Sequence, residues 1–256
     1  MIIWSRADLD NWADAILKDF LADKYDLFEP INIEALATDY LGLDIRYDSL
    51  SDNLDIYGVS AFQDTVIDLI INGNIKQLNV KADSIILEVV LQCEELKTTR
   101  KFTLGHEVAH QILRRWEREN VQIVPTLQPA VAFSKKSHGA VLPHRDWHEW
   151  QANTLGAALI MPRRLIDECM FRLGCREKLT IYGRDSLDFS GRQFIENMKN
   201  FFGVSKTSII IRLKQLGYVE YKPIQEYYEI MPIERMKWLL CQEQKQCSNL
   251  PKRTWK

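Results

Sequence analysis

The chain has 256 residues, of which 46% are hydrophobic, and its formal net charge is −2. This length allows one large domain with a smaller one beside it, and the nearly balanced charge excludes a protein that binds nucleic acid or membranes through its overall charge. No apolar run approaches the length of a membrane span, and the first residues contain neither a basic start nor a long apolar core, so no signal peptide is predicted.

Two helices are predicted at the start of the chain. An amphipathic helix begins after the capping residue Ser5 and ends near Tyr25, with an apolar stripe at helical spacing formed by Leu9, Trp12, Ile16 and Phe20. A second helix is predicted to begin at Pro30 and Asn32 and to end at Gly42.

Short strand-forming runs follow these helices, over residues 43–47, 57–62, 66–71 and 84–91. The segment Asn72-Gly73-Asn74 predicts a hairpin turn. Together these runs predict a small, mostly antiparallel sheet. An edge strand of such a sheet can pair with an extended peptide.

The segment His106-Glu107-Val108-Ala109-His110 carries the strongest chemical signal of the chain. Two imidazoles four residues apart project from one face of a helix, where they can bind one divalent ion, and zinc suits such a site best. The surrounding residues 104–113 are largely apolar and predict a buried helix that Thr98 or Thr99 caps. Because a buried helix rarely carries unpartnered histidines, two incidental surface histidines are the weaker alternative.

Glu107 lies about 100° around the helix from His106. It is therefore poorly placed to ligate the same ion, but it can reach a water molecule at the metal. A metal lowers the pKa of such a water, and a neighbouring carboxylate can accept its proton and pass it to a leaving amine. The spacing predicts metal-assisted hydrolysis, most often of a peptide bond.

A catalytic zinc ion needs a third protein ligand and keeps one open position. A third histidine on the extended metzincin pattern is excluded, because Leu113 and Trp116 stand where that pattern needs Gly and His. The candidates downstream are Glu117, Glu119, His138, His144, Asp146, His148 and Glu149. The first two lie in an arginine-rich run that is typical of a solvated helix end, and His138 and His144 lie in loop-like sequence.

Glu149 opens a second apolar stretch, which ends at Pro162. Small and apolar residues recur there at helical spacing and predict a buried helix that approaches another helix closely: Ala152, Leu155, Gly156 and Leu159. A Glu at such a position more often interacts with the helix dipole. The histidine pair reverses this preference and makes Glu149 the favoured third ligand.

Residues 125–148 contain three prolines, one glycine and three histidines without clear periodicity. We interpret them as a long loop over the site, because long loops in compact domains are often lids. His138, His144 and His148 are candidates for stabilising an oxyanion, although a polar surface loop is the more frequent use of such residues.

Helices dominate the predicted structure of the last third. One covers residues 163–173 and ends at Gly174, another covers 194–201, and a third begins after the cap Ser205 with a stripe of Ile209, Leu213 and Leu216. The last two, joined by a short turn, have a helix-turn-helix outline. Residues 191–222 carry six basic and two acidic side chains, a net +4 that is a weak indication of phosphate contact.

The motif around the histidine pair resembles the ImmA/IrrE family of metallopeptidases. The resemblance rests on the run Arg100 to His110, on Glu149-x-x-Ala152-Asn153 and on Leu159-Ile160-Met161-Pro162, and weaker similarity extends it over residues 31–219. It implies a gluzincin-like site in which His106, His110 and Glu149 bind zinc and Glu107 is the general base. Leu155 and Gly156 depart from the Phe-Ala pair that is usual in the family.

These observations predict an α+β fold in three parts: an N-terminal helix over 1–25, a zincin-like metallopeptidase domain over 26–173, and a helical, helix-turn-helix-like region over 174–256. The resemblance implies that the substrate is a regulatory protein, such as a helix-turn-helix repressor. The alternative is a DNA- or protein-binding regulator whose zinc site is structural or vestigial.

A cytoplasmic location is expected, with no membrane partner. The five cysteines are odd in number and match no compact zinc pattern: Cys93, Cys169, Cys175, Cys241 and Cys247. Scattered reduced thiols are the expected state of such residues in a cytoplasmic protein.

Overall fold

The structure is a computed structural model that describes residues 3–120, 131–135, 147–175, 178–231 and 233. Its fold is a mixture of helices and small β-sheets. The helices are α1 Arg6–Leu21, α2 Ile33–Ala35, α3 Lys97–Asn120, α4 Trp147–Ile160, α5 Arg163–Arg172, α6 Phe189–Phe202 and α7 Lys206–Gln215. The strands are β1 Asp44–Asp48, β2 Ile56–Ala61, β3 Thr65–Ile71, β4 Asn74–Val80, β5 Ser84–Glu88, β6 Val131–Lys135, β7 Leu179–Tyr182 and β8 Val219–Lys222.

Helix α1 begins as the sequence predicts. The Ser5 hydroxyl accepts the backbone N–H of Asp8 at 3.2 Å, and the Asp8 carboxylate accepts the backbone N–H of Ser5 at 3.0 Å. This reciprocal capping satisfies two N–H groups that lack partners within the helix. Just before the cap, the backbone N–H of Trp4 donates to Oε1 of Gln151 on α4 at 2.8 Å. The N-terminal segment is therefore tied to α4.

Four strands form the main sheet, in the order β1-β5-β2-β6. Strand β2 runs antiparallel to both of its neighbours, and β1 runs parallel to β5, so the prediction of a mostly antiparallel sheet is confirmed. Three details were wrong. The predicted run 66–71 does not belong to this sheet. Residues 89–92 form a 3-10 turn instead of continuing β5, and β6 lies within the stretch that we interpreted as a loop.

Strands β3 and β4 form a separate hairpin. Asn72 and Gly73 make its two-residue turn, both with positive φ, which confirms the predicted turn. The inward residues of the hairpin pack with β2 and β5 in a small apolar cluster of their own.

The second predicted helix, between Pro30 and Gly42, is also present. Asn32 caps α2 through its side-chain oxygen, and a π-helical turn over Leu36–Tyr40 continues the helix. Helix α3, in contrast, begins at Lys97, directly after a 3-10 turn over Glu94–Leu96. Thr98 and Thr99 therefore lie inside its first turn and are not caps.

Helix α3 is fixed to the sheet by side chains that donate to backbone carbonyls. The buried amide of Gln111 donates to Ala61 at 3.0 Å and to Ser84 at 3.2 Å. Further along, Arg115 donates to the carbonyl of Leu41 at 2.7 Å. The arginine-rich end of α3 is thus an anchoring face for loops at the sheet, and the predicted solvated end is confirmed only in part, at the exposed residues Arg118 and Glu119.

Helices α3 and α4 cross at Gly105 and Gly156. A Cβ atom on Gly156 would lie 2.7 Å from the carbonyl oxygen of Gly105 and 3.1 Å from Cα of His106. Distances below 3.0 Å are not tolerated without a shift of the backbone. The predicted close approach of the small-residue helix is confirmed, and Gly156 makes it because it has no side chain.

The C-terminal helices share the main apolar core with α1, α3 and α4. Asp188 caps α6, which begins at Phe189, five residues before the predicted start, while Ser205 caps α7 as predicted. Arg212 of α7 is fully buried, donates to the carbonyl of Met161 at 3.0 Å and pairs with Asp10 of α1 at 2.7 Å. In the part of the chain that the structure describes, no helix is long and apolar enough to cross a membrane.

The helix crossing makes a first prediction. Replacing Gly156 with Ala would stabilise α4 by about 1 kcal/mol through the higher helix propensity of Ala if packing were unaffected. Because the new methyl group meets backbone atoms of α3, we expect a net loss of about 1–3 kcal/mol in the free energy of unfolding, measured by urea denaturation. A variant more stable than wild type would contradict the close crossing.

Candidate metal centre

The predicted ligands come together at the α3–α4 crossing. His106 and His110 lie one turn apart on α3, and their Nε2 atoms are 3.0 Å apart. Glu149, in the first turn of α4, places one carboxylate oxygen 3.2 Å from Nε2 of His106 and the other 3.2 Å from Nε2 of His110. Within the described residues, these three are the group of His, Cys, Asp and Glu side chains that could hold a metal ion.

Their geometry fits a small cation with nitrogen and oxygen ligands. Both imidazoles are about 94% buried, whereas the Glu149 side chain is 35% exposed, so the site is reached from the side of α4. Donors bound tetrahedrally at zinc distances lie about 3.4 Å from one another, close to the 3.0 and 3.2 Å observed. Three lone pairs directed at one point repel each other unless a proton or a cation lies among them.

The charges of these groups support one another. Burial disfavours the imidazolium form of His106, but its hydrogen bond to Glu149 and the charges of Glu107 and Glu149 outweigh burial and raise its pKa above 6.5. Burial likewise disfavours the carboxylate of Glu149, but hydrogen bonds and charges from both histidines hold its pKa well below the ordinary value. The pocket therefore favours an anionic Glu149 facing positive charge.

Asn153 fixes the orientation of the first histidine. Its Oδ1 lies 3.1 Å from Nδ1 of His106, and one helical turn separates it from Glu149 on α4. An acceptor on Nδ1 places the ring proton there and leaves Nε2 free to bind a metal. Asn153 belongs to the segment Glu149-x-x-Ala152-Asn153 that resembles the family, but the sequence did not predict this contact.

Glu107 follows His106 on α3, and its carboxylate packs against β2. It is fully buried, and the hydroxyl of Ser60 on β2 donates to its Oε2 at 2.6 Å. The other oxygen, Oε1, is buried and makes no hydrogen bond to any residue that the structure describes. Burying a carboxylate oxygen without a hydrogen bond costs free energy. A site that brings a water molecule to this oxygen would explain why Glu107 is there.

Glycine on the same strand leaves room for this carboxylate. A Cβ atom on Gly58 would lie 2.9 Å from Cδ of Glu107 and closer still to Oε1. Gly58 and Ser60 are two residues apart and therefore face the same side of β2. The sequence predicted this strand, but a Gly-x-Ser pattern is too common to have indicated contact with Glu107.

The other candidate ligands lie elsewhere or outside the described residues. Glu117 is half-buried with a carboxylate oxygen 3.7 Å from Arg114, and Glu119 is exposed. Helix α4 begins before Glu149, so His148 is exposed in its first turn and does not lie in the predicted loop. His138, His144 and Asp146 lie outside the described residues, so a role in stabilising an oxyanion stays a prediction.

Comparison with known families agrees with this geometry. Residues 88–214, about half of the chain, match the family described as the IrrE N-terminal-like domain of the M78 peptidases. This segment belongs to the ImmA/IrrE family. The match contains α3 and α4 and begins further downstream than the resemblance seen in the sequence. The comparison with curated proteins gave no significant match.

Membership of this family indicates a peptidase that acts on a protein substrate. The group of His106, His110 and Glu149 indicates a metal ion at its centre. Family membership and geometry thus agree on a metallopeptidase as the class of chemistry.

The raised pKa of His106 predicts how metal affinity depends on pH. In the metal-free protein, protonated His106 stabilises the fold at low pH, and this contribution is lost as pH rises through the raised pKa. A metal needs the neutral imidazole, so we expect the opposite dependence for affinity. For each proton released on binding, the affinity should rise about tenfold per pH unit below that pKa.

Titration calorimetry with zinc, in buffers of different ionisation enthalpy, counts the released protons. Binding that released no proton between pH 5.5 and 7 would contradict the close contact of His106 with Glu149.

The Asn153 contact makes a second prediction for the site. Because loss of such an outer partner lets the ligating ring turn, we expect Asn153→Ala to weaken zinc binding about 10–100-fold, measured by competition with a chelator. Asn153→Asp keeps an acceptor in the same place and serves as the control. Equal affinity of the Ala variant and wild type would show that His106 needs no such support.

Proposed function

We propose that the protein is a zinc-dependent endopeptidase that hydrolyses a peptide bond in a regulatory protein. The observation that carries this proposal is the unpartnered, buried oxygen of Glu107, one residue from a ligand group of two histidines and one glutamate. A purely structural metal site has no use for such a carboxylate and usually fills its fourth position with protein.

The ligands of the zinc ion would be His106, His110 and Glu149. This set of two nitrogen donors and one oxygen donor favours zinc over metals that prefer all-oxygen sites. A bound zinc ion supplies a Lewis acid that polarises the scissile carbonyl and acidifies the attacking water.

Glu107 carries the proton transfers in this proposal. Its free oxygen accepts a proton as the water oxygen bonds to the carbonyl carbon. The same proton then moves to the amide nitrogen as the C–N bond breaks, which releases a carboxylic acid and an amine. Because each proton taken from water is given to the leaving group, Glu107 returns to its anionic form.

The sheet suggests where the peptide binds. Among the described strands, β6 lies at the edge next to β2, and β2 carries the residues that touch Glu107. An extended substrate can add to such an edge through main-chain hydrogen bonds. This arrangement supports a zincin-like domain that cleaves within an unfolded or extended segment.

The repressor as substrate is supported by the family resemblance alone. We retain with it the proposed division into an N-terminal helix, a metallopeptidase domain over 26–173 and a helical region over 174–256. The helical region would dock a substrate or support the fold. A DNA-binding use has less support, because Arg212, one of its six basic residues, is buried against Asp10.

A cytoplasmic location belongs to the same proposal. Cys93 and Cys169, which lie within the described residues, are free thiols. Reduced cysteines are the usual state in the cytoplasm.

The test uses the zinc-loaded chain and a peptide library prepared from a digested proteome, with new amino termini mapped by mass spectrometry. We expect specific cleavage that a chelator stops and added zinc restores. Glu107→Gln should retain stoichiometric zinc but lower kcat about 10²–10⁴-fold, because the amide cannot accept the proton.

Glu119→Gln is the matched control, since Glu119 is an exposed glutamate on the same helix. It should cleave at the wild-type rate. A Glu107→Gln variant with unchanged kcat would contradict the general-base assignment, and cleavage that ignores chelation would contradict the metallopeptidase.

A further inference from the structure

The wall of the site opposite the metal ligands is formed by β2. Gly58 and Ser60 lie two residues apart on the face of this strand that meets α3, and both contact the carboxylate of Glu107. We propose that Ser60 is a positioning residue that selects which oxygen of Glu107 takes part in proton transfer. This inference rests on the proposed function, because it assigns a role within the same reaction.

The hydrogen bond from Ser60 is specific to one oxygen. The hydroxyl oxygen of Ser60 lies 2.6 Å from Oε2 of Glu107 and 3.1 Å from the backbone carbonyl oxygen of the same residue. A hydroxyl has one proton to donate. The shorter contact, to a charged acceptor, is the stronger one, so the proton of Ser60 belongs to Oε2.

This bond breaks the symmetry of the carboxylate. A free carboxylate turns easily about its last side-chain torsion, and its two oxygens are then equivalent. With Oε2 held by Ser60, Oε1 is the oxygen left without a partner. The proton taken from water therefore goes to Oε1, and the same atom later delivers it to the amine nitrogen.

Gly58 completes this arrangement by its lack of a side chain. Any Cβ at this position would collide with the end of Glu107. The strand thus holds one oxygen by a donated proton and makes room for the other, which lies where a Cβ at position 58 would be. Both effects act on the orientation of Glu107, and neither residue touches the three ligands directly in the contacts described.

A merely structural role for Ser60 makes different predictions. A buried serine can tie a strand to a helix without affecting chemistry, and Gln111 already links α3 to β2. Ser84 on β5 offers the matched control: it is also fully buried, and its hydroxyl donates to the backbone carbonyl of Lys81 at 2.6 Å. Its loss should cost stability without affecting kcat.

The first measurement compares variants with the best peptide from the library described above. We expect Ser60→Ala to lower kcat about 10–100-fold, the scale of a misplaced catalytic group, with KM and zinc content unchanged. Ser60→Cys keeps the volume but donates poorly, so it should behave like the Ala variant. Ser60→Thr keeps the hydroxyl and should retain most of the activity, and Ser84→Ala should retain wild-type kcat.

Two outcomes would overturn the proposal. If Ser60→Cys has wild-type kcat, the site needs the volume of the side chain at position 60 and not its hydrogen-bond donor. If Ser60→Ala and Ser84→Ala lower kcat equally, the effect is general destabilisation. Gly58→Ala gives an independent check, because displacement of Glu107 should lower kcat while zinc stays bound.

The second measurement does not depend on activity. Urea unfolding of the zinc-loaded protein is compared for Ser60→Ala, Glu107→Met and the double variant. If Ser60 bonds to the carboxylate, the shift of the midpoint in the double variant differs from the sum of the single shifts. The pair Ser84→Ala and Glu107→Met should be additive, and additivity in both pairs would overturn the proposed bond.

These two measurements separate the proposals. A wild-type protein without zinc-dependent cleavage, but with a coupled Ser60–Glu107 pair, would contradict the proposed function alone. Zinc-dependent cleavage that is insensitive to Ser60→Ala would contradict only the role of Ser60.

Discussion

The contact between the backbones of α3 and α4 at Gly105 and Gly156 is the constraint on which the site depends. Two histidines on one helix offer only two donors, and the third has to come from a helix that lies close enough for a short carboxylate side chain to reach them. A larger residue at Gly156 would meet backbone atoms of α3 and push the two helices apart. The metal centre is therefore a product of helix packing, since Gly105 of the crossing is next to the ligand His106 on α3, and Gly156 lies two helical turns after Glu149 on α4.

The two glutamates of the site show how environment separates their roles. Glu149 lies at the mouth, partly exposed, and faces two imidazoles that hold its pKa down. Glu107 is fully buried and meets a serine and a glycine of β2. The first environment stabilises a permanent negative charge, as a ligand requires. The second holds one oxygen and leaves the other without a partner, as a group that exchanges protons requires.

Much of this arrangement could be predicted from local sequence. Ser5, Asn32 and Ser205 cap helices as their side chains indicate, and Asn72-Gly73 makes its turn, because these features depend on a few adjacent residues. The helical spacing of the histidine pair has the same local origin. Glu149 was favoured because the histidine pair needs a third ligand, and the family resemblance implied the same residue.

Contacts between distant segments could not be predicted in this way. The serine of β2 that touches Glu107, the carbonyls that receive Arg115 and Gln111, and the burial of Arg212 depend on which elements become neighbours in space. Strand β6 was missed because its pairing with β2, and not its own periodicity, makes it a strand. For the same reason, the anchoring contacts at the arginine-rich end of α3 were not predicted, since charge in the sequence does not show which carbonyls lie nearby.

The ion pair of Asp10 and Arg212 has a consequence for biosynthesis. Its partners are about 200 residues apart in the chain, and both are almost fully buried. A buried carboxylate without its guanidinium is strongly unfavourable, so α1 cannot settle in its final place while α7 is still being made by the ribosome. A truncated polypeptide that lacks α7 would leave the apolar side of α1 open to chaperones and proteases.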